Sequence, residues 1–212
     1  TYPSSASAIA SAVAALKAQV EEVNRLNVFP VPDGDTGSNM LLTLEAVLND
    51  VAKLGERASL EEVCTAATHG SLMGARGNSG VILSQIVRGA CEGIVASDGL
   101  PAVERLAVAM SSATQVAYQA VRKPVEGTML TVVKDMSAAA TDAAERGLAF
   151  EEALDVVLSA AAESARRTPE LLPVLKDAGV VDAGGFGLQV VFAGFVGALL
   201  GHIQHDHRVR RG

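Results

Sequence analysis

Two aspartates, Asp33 and Asp35, stand at i and i+2 within Asn27-Val28-Phe29-Pro30-Val31-Pro32-Asp33-Gly34-Asp35-Thr36-Gly37-Ser38-Asn39-Met40. Two prolines stiffen the approach and two glycines permit a tight turn, so both carboxylates can be aimed at one point. Bare carboxylates that close repel. An Mg²⁺ ion, or two, would remove the repulsion while leaving coordination positions for water and phosphate oxygens. The spacing fits equally an Asx-turn in which Asp35, Thr36 or Ser38 caps the next helix, and spacing alone does not separate the two.

Three further segments combine glycine or proline with polar residues. Gly74-Ala75-Arg76-Gly77-Asn78-Ser79-Gly80 precedes the apolar run from Val81 to Val87. A glycine-rich turn feeding a helix N-terminus presents unpaired N–H groups and the positive end of the helix dipole, which suits an anion. The lysine of a P-loop is missing, and on its own the segment reads more readily as a helix cap at Ser79. In Lys123-Pro124-Val125-Glu126-Gly127-Thr128-Met129-Leu130, Pro124 and Gly127 separate two helices and Thr128 suits an N-cap. In Gly179-Val180-Val181-Asp182-Ala183-Gly184-Gly185-Phe186-Gly187, paired glycines let backbone lie against a flat ligand, or a C-cap is followed by a new N-cap at Asp182.

The elements that must position these segments are helices. Apolar residues at Ile9, Val13, Leu16, Val20 and Val23 alternate steps of four and three. Similar stripes run through Leu41, Leu44, Leu48 and Val51, through Val103, Leu106, Met110, Ala113 and Ala117, and through Phe150, Leu154, Val157 and Ala161. Period-two alternation is nearly absent, so the spacing predicts an all-α protein of eight or nine helices. Ser59-x-x-Glu62 reads as a capping box, Pro101 as a first-turn residue, and Gly147 and Gly179 as helix ends. Many alanines and only 3% aromatic residues predict helices that approach closely, in a bundle or ring.

Composition narrows the function. The 212 residues carry 17 basic and 24 acidic side chains, a net charge of −7, and are 49% apolar. That describes one acidic domain and excludes nucleic-acid binding by phosphate neutralisation, which needs a basic face. An acidic protein that handles nucleotides needs a divalent cation between its carboxylates and the phosphates. Cys64 and Cys91 read as small buried hydrophobes of a reducing, cytoplasmic compartment. The start of the chain is polar without a basic region, so no secretory leader is expected. Phe186 to Gly201 is interrupted by Gln189 and glycines and is read as a buried core helix rather than a membrane span, with Gly197-x-x-x-Gly201 marking close helix packing. His202, His205 and His207 run into Arg208, Arg210 and Arg211, a metal-ligating residue type without an expected scaffold. Residues 1–201 are taken as the domain and 202–212 as a tail or the start of a linker.

In order and spacing, the four segments resemble the N-terminal nucleotide-binding domain of bacterial fatty acid kinase. The wider superfamily includes the nucleotide-binding subunit of dihydroxyacetone kinase, whose Gly-Asp-Gly-Asp motif resembles Pro32 to Asp35. The resemblance implies an antiparallel eight-helix barrel binding ATP or ADP and two Mg²⁺ ions at one end. It implies Asp33 and Asp35 as metal ligands, with Asn27, in the place of a third aspartate, ligating through its amide oxygen. Thr36, Gly37, Ser38 and Asn39, with Gly77, Asn78 and Ser79, fall where the family approaches phosphates. Gly127, Thr128 and Met129 match the adenine pocket, and Asp182 with Gly184 the fourth nucleotide loop. Phe186 departs from the polar or basic residues common at its position.

The implied reaction moves the γ-phosphoryl group of ATP to a fatty acid carboxylate presented by a separate fatty-acid-binding protein, recruited largely by regions that lie beyond Gly212 in the full-length family members. Arg76 either stabilises the transferring charge or forms a surface ion pair. Two other readings are a dihydroxyacetone-type kinase subunit and a non-catalytic module that holds ADP.

Overall fold

Small residues set how closely these helices pack. A Cβ added at Gly89 would lie 2.7 Å from the Cα of Ala113, and one at Gly93 would lie 2.8 Å from the Cα of Ala109. Alanine and glycine therefore let neighbouring backbones come nearly into contact, where bulkier side chains would hold them apart. The computed structural model describes the backbone of residues 4–211 and the side chains of residues 4–201.

Among the described residues there are nine helices and no strands: α1 (Ser5–Leu26), α2 (Thr36–Ala52), α3 (Leu60–Gly74), α4 (Gly77–Ala96), α5 (Ala102–Ala120), α6 (Met129–Glu145), α7 (Phe150–Leu171), α8 (Pro173–Ala178) and α9 (Ala183–Arg211). Each of α1 to α7 packs on its successor, α7 packs on α9, and α9 returns to α1. The eight long helices thus close into a ring, with the short α8 bridging α7 and α9. This is the all-α, eight-helix barrel that the resemblance implied.

The predicted stripes face the interior. Leu16 and Val23 of α1, Leu44 of α2, Ala113 and Ala117 of α5, and Val157 and Ala161 of α7 belong to one buried core, joined by Met40, Val132, Val133 and Met136. Termination follows local chemistry. Ser59 accepts from the N–H of Glu62 while Glu62 accepts from the N–H of Ser59, a complete capping box. Pro101 lies one residue earlier than expected, at the N-cap of α5.

Three expectations need correction. The helix containing Phe186 to Gly201 is longer than its apolar run, and most of its described residues are half-buried rather than buried. It and α4 are long and apolar enough to cross a membrane. α9 lies on α1, α6 and α7, and one flank stays open because a ring helix has neighbours only on its inner and lateral sides. Second, nothing lies within 4 Å of a Cβ built at Gly197 or Gly201; the close approach is at Gly194, 2.7 Å from Ser11 O and 2.9 Å from Ala12 Cα. Third, Cys64 is buried but Cys91 only half-buried. The His202, His205 and His207 side chains lie outside the described residues.

Candidate functional site

In an antiparallel ring, alternate helices begin at the same end. The N-terminal turns of α2, α4, α6 and α9 accordingly meet around one cavity of about 400 Å³, lined by Thr36 and Asn39, by Gly77, Asn78 and Ser79, by Met129, and by Gly184. Volumes of ~300–1,000 Å³ are usual for small-molecule sites. Four helix dipoles point their positive ends at this space. Asp33 and Asp35 also line it.

The loop from Asn27 to Asp35 shows why those carboxylates remain available. Asp35 occupies the N-cap position of α2 but makes no side-chain capping bond. Asparagines on α1 and just beyond it supply the caps instead. Asn27 Oδ1 accepts from the N–H groups of Asp35 and Thr36 at 3.1 and 3.3 Å, and Asn24 Oδ1 accepts from that of Ser38 at 3.0 Å. The Asn27 amide donates to Val31 O at 3.0 Å, which holds the arch of the loop. The peptide between Phe29 and Pro30 is cis. A hydrogen bond between the two carboxyls, followed by desolvation and like-charge repulsion, holds Asp33 above the usual carboxylate range. A divalent cation would relieve that repulsion. Among the described residues no cluster of three or more metal-ligating side chains exists, so the protein offers two carboxylates, the number Mg²⁺ commonly takes when phosphates and water supply the rest.

The turn before α4 packs on α2. Gly77 has φ +63, and a Cβ there would lie 2.3 Å from Asn39 Nδ2, so a side chain is excluded both by backbone conformation and by space. The helix starts at Gly77 rather than at Ser79, so Ser79 is not its cap; the Ser79 hydroxyl is directed at Thr36 O, 3.5 Å away. Thr128 does occupy the N-cap position of α6, but its hydroxyl donates to Val125 O at 2.7 Å and caps nothing. The lining also holds apolar side chains, Phe29 and Val31 from the aspartate turn and Ile82, Val121, Val125, Met129 and Leu130 from α4 and the α5–α6 connection into α6.

Asp182 joins two of the helix starts. Its carboxylate accepts from the N–H of Gly185 at 2.8 Å and from that of Met129, while its own N–H donates to Thr168 Oγ1 at 2.9 Å. It is thus the N-cap of α9, as one reading of the sequence had it, and also a tie to α6. Burial pushes its pKa up to about 6, against the opposing effect of those two N–H groups.

The cavity brings together Asn27, Asp33, Asp35, Thr36, Asn39, Gly77, Asn78, Ser79, Thr128, Met129, Asp182 and Gly184. Gly37, Ser38, Gly127 and Arg76 are not in its lining. Gly37 abuts Val20 O, Ser38 is tied to Asn24, and Gly127 turns the loop behind the wall. Arg76 is exposed, with its guanidinium donating to Ala75 O at 2.9 Å. Phe186 packs against the core. Sequence reasoning passed over Lys123, the one cationic side chain of the lining among the described residues, and the apolar Ile82 and Val121. Only the position of Lys123 beside Pro124 hinted at it.

These features define an all-helical ring with a cavity at one end where four helix N-termini meet. The chain belongs to the DAK2 domain family, whose match covers residues 30–197. It is 46% identical over 186 residues to protein YloV of Bacillus subtilis (strain 168), a match spanning 88% of this chain and 33% of that one. An uncharacterized protein of Staphylococcus haemolyticus is also 46% identical, over 183 residues, 84% of this chain and 32% of its own length. The chain therefore spans about a third of the relatives it matches. Among solved structures, the dihydroxyacetone kinase from C. freundii in complex with AMP-PNP and Mg²⁺ superposes with a TM-score of 0.63 at 21% identity, over 92% of this chain and 35% of that one. Its native form gives 0.61 at 20% identity. At such identity the likeness is one of fold.

Proposed function

We propose that this domain binds ATP and ADP with Mg²⁺ and supplies the γ-phosphoryl group to a fatty acid carboxylate presented by a separate fatty-acid-binding protein. The observation that carries the nucleotide reading is the convergence of four helix N-termini, Asp33 and the non-capping Asp35 on one cavity that is also lined by apolar side chains. The complex of the C. freundii enzyme with AMP-PNP and Mg²⁺ supports it. The fatty acid acceptor rests on the sequence resemblance, down to the Phe29-Pro30-Val31-Pro32 approach to the aspartates.

Asp33 and Asp35 would hold the divalent cation, which when bound neutralises phosphate charge. Thr36, Asn39, Asn78 and Ser79, at two helix starts, suit the phosphates, and Val121, Val125 and Met129 suit the base. Positioning and charge neutralisation supply most of the catalysis in phosphoryl transfer. A carboxylate acceptor is already ionised at pH 7, so no general base is needed to activate it.

The deciding experiment incubates the protein with labelled ATP, Mg²⁺ and fatty acid, with and without the fatty-acid-binding protein. Acyl phosphate formed only with the partner is the expected result. Phosphorylated dihydroxyacetone in its place would make this a dihydroxyacetone-type kinase, and tight ADP retention without turnover would make it a regulatory module.

A further inference from the structure

Glu126 lies behind the wall of the nucleotide cavity. Its neighbours Val125 and Thr128 line that cavity, whereas Glu126 lines a second one, of about 430 Å³, with Thr131 and Lys134 of α6 and Ser164 of α7. The Glu126 carboxylate gathers three donors. Tyr118 Oη, near the end of α5, donates to Oε1 at 3.0 Å, Lys134 Nζ donates to Oε2 at 3.0 Å, and the Thr131 hydroxyl donates to Oε2. Because that hydroxyl has one proton and gives it to Glu126, its lone pairs face the other way. There they accept the buried N–H of Gly127 at 2.9 Å. Gly127 has φ +84, and a Cβ on it would lie 2.8 Å from Leu172 Cβ and 2.9 Å from Thr168 O, so the turn is also wedged against the end of α7.

We infer that Glu126 is a positioning residue for the nucleotide base: it clamps the 121–128 segment between α5 and α6, and so fixes the wall formed by Val121, Val125 and Thr128. The inference rests on the nucleotide reading above. Glu126 does not reach the cavity itself; its effect passes through Thr131 and Gly127. Burial favours its neutral form, but the hydrogen bonds from Thr131, Lys134 and Tyr118 outweigh this and hold its pKa below the usual range, which leaves both oxygens as acceptors for those donors. The wall it steadies comes from the connection between α5 and α6, a different segment from the turn that carries the aspartates. Loss of the clamp therefore loosens the grip on the base and spares the grip on the phosphates.

The test compares ATP with inorganic tripolyphosphate, both with Mg²⁺, by calorimetric titration. Glu126→Ala is expected to weaken ATP roughly tenfold, the scale of one charge-assisted hydrogen bond, and tripolyphosphate less than about twofold. Glu126→Gln is expected to recover most of the ATP affinity, since the amide oxygen can still accept from Thr131 and the amide nitrogen can donate to the Tyr118 oxygen. Tyr118→Phe should weaken ATP by about threefold alone and add nothing to Glu126→Ala. Unchanged ATP affinity in Glu126→Ala, equal losses for the two ligands, or an undiminished Tyr118→Phe effect beside Glu126→Ala would each overturn the inference. Absence of ATP binding by the unaltered protein would overturn the nucleotide reading instead.

Discussion

The side-chain oxygen of Asn24 lies 3.0 Å from the backbone nitrogen of Ser38, and it accepts the first-turn N–H that the Asp35 carboxylate leaves uncapped. An aspartate at an N-cap usually spends its carboxylate on the first turn of its own helix. Here the duty passes to two asparagines, Asn24 and Asn27, and a second carboxylate, Asp33, stands beside the first. This division of labour leaves both carboxylates uncommitted to the helix start and available to the cation proposed above.

Asn27→Asp is expected to destabilise the protein and not to tighten Mg²⁺ binding. As a third aspartate it would be a charged ligand, but Asn27 is 6% exposed and its amide donates to Val31 O. A carboxylate there would confront that carbonyl with no proton to offer, at a cost of about 1–3 kcal/mol. Denaturant unfolding and Mg²⁺ titration check this. Full stability with stronger metal binding would instead support Asn27 as a metal ligand.

Asp33→Ala and Asp35→Ala should each abolish Mg²⁺-dependent ATP binding and leave the helical content unchanged. Neither carboxylate caps α2, so their removal costs the fold little. Circular dichroism reads the fold and calorimetry the binding. Undiminished affinity in both variants would remove the metal assignment.

Val125→Asn tests the apolar wall. Val125 is 37% exposed, so the substitution spares the core, unlike a change at Met129, which is 3% exposed. ATP and ADP should weaken by the same few-fold factor, because the base, common to both, loses an apolar neighbour. A loss confined to ATP would place this wall near the γ-phosphate.

Asp182 makes a pH prediction. Its pKa is about 6 in the folded protein against 3.8 for an unperturbed aspartate, raised chiefly by burial. A raised pKa means that the folded state binds the proton more tightly than the unfolded one. The resulting stabilisation is complete below about pH 4 and is lost as pH rises through about 6, a change on the order of 3 kcal/mol. Asp182→Asn keeps an acceptor for the Gly185 N–H without the titration. Thermal melts between pH 4 and 7 should therefore show the aspartate protein losing stability relative to this variant as pH rises. A constant difference across that range would contradict the shift.

Much of the protein is written in local pattern. Leu16, Val23, Leu154 and Val157 fall on predicted stripes and are buried, because a period of 3.6 residues leaves an amphipathic helix one face to bury. Ser59 with Glu62, Gly147 and Gly179 end their helices as their chemistry requires, since a cap depends on residues within one turn. The aspartate turn and the three glycine- or proline-marked segments announced a shared site, because such residues interrupt helix only where backbone must bend or a ligand come near.

What the sequence could not decide was which of two uses each polar side chain serves. Whether Asp35 caps α2 or is left to the cavity depends on Asn24, which takes the Ser38 N–H from fourteen residues away, beyond the reach of local capping rules. Whether Ser79 caps α4 depends on Gly77, whose positive φ starts the helix earlier and whose missing side chain admits Asn39 from α2. Glu126 carries no motif of its own, and its role arises only when α5 and α6 bring Tyr118 and Lys134 to it. A helix stripe is a property of one segment, and the sequence holds it whole. A hydrogen-bond partner is a property of two segments, and only closure of the ring determines which donors meet which acceptors.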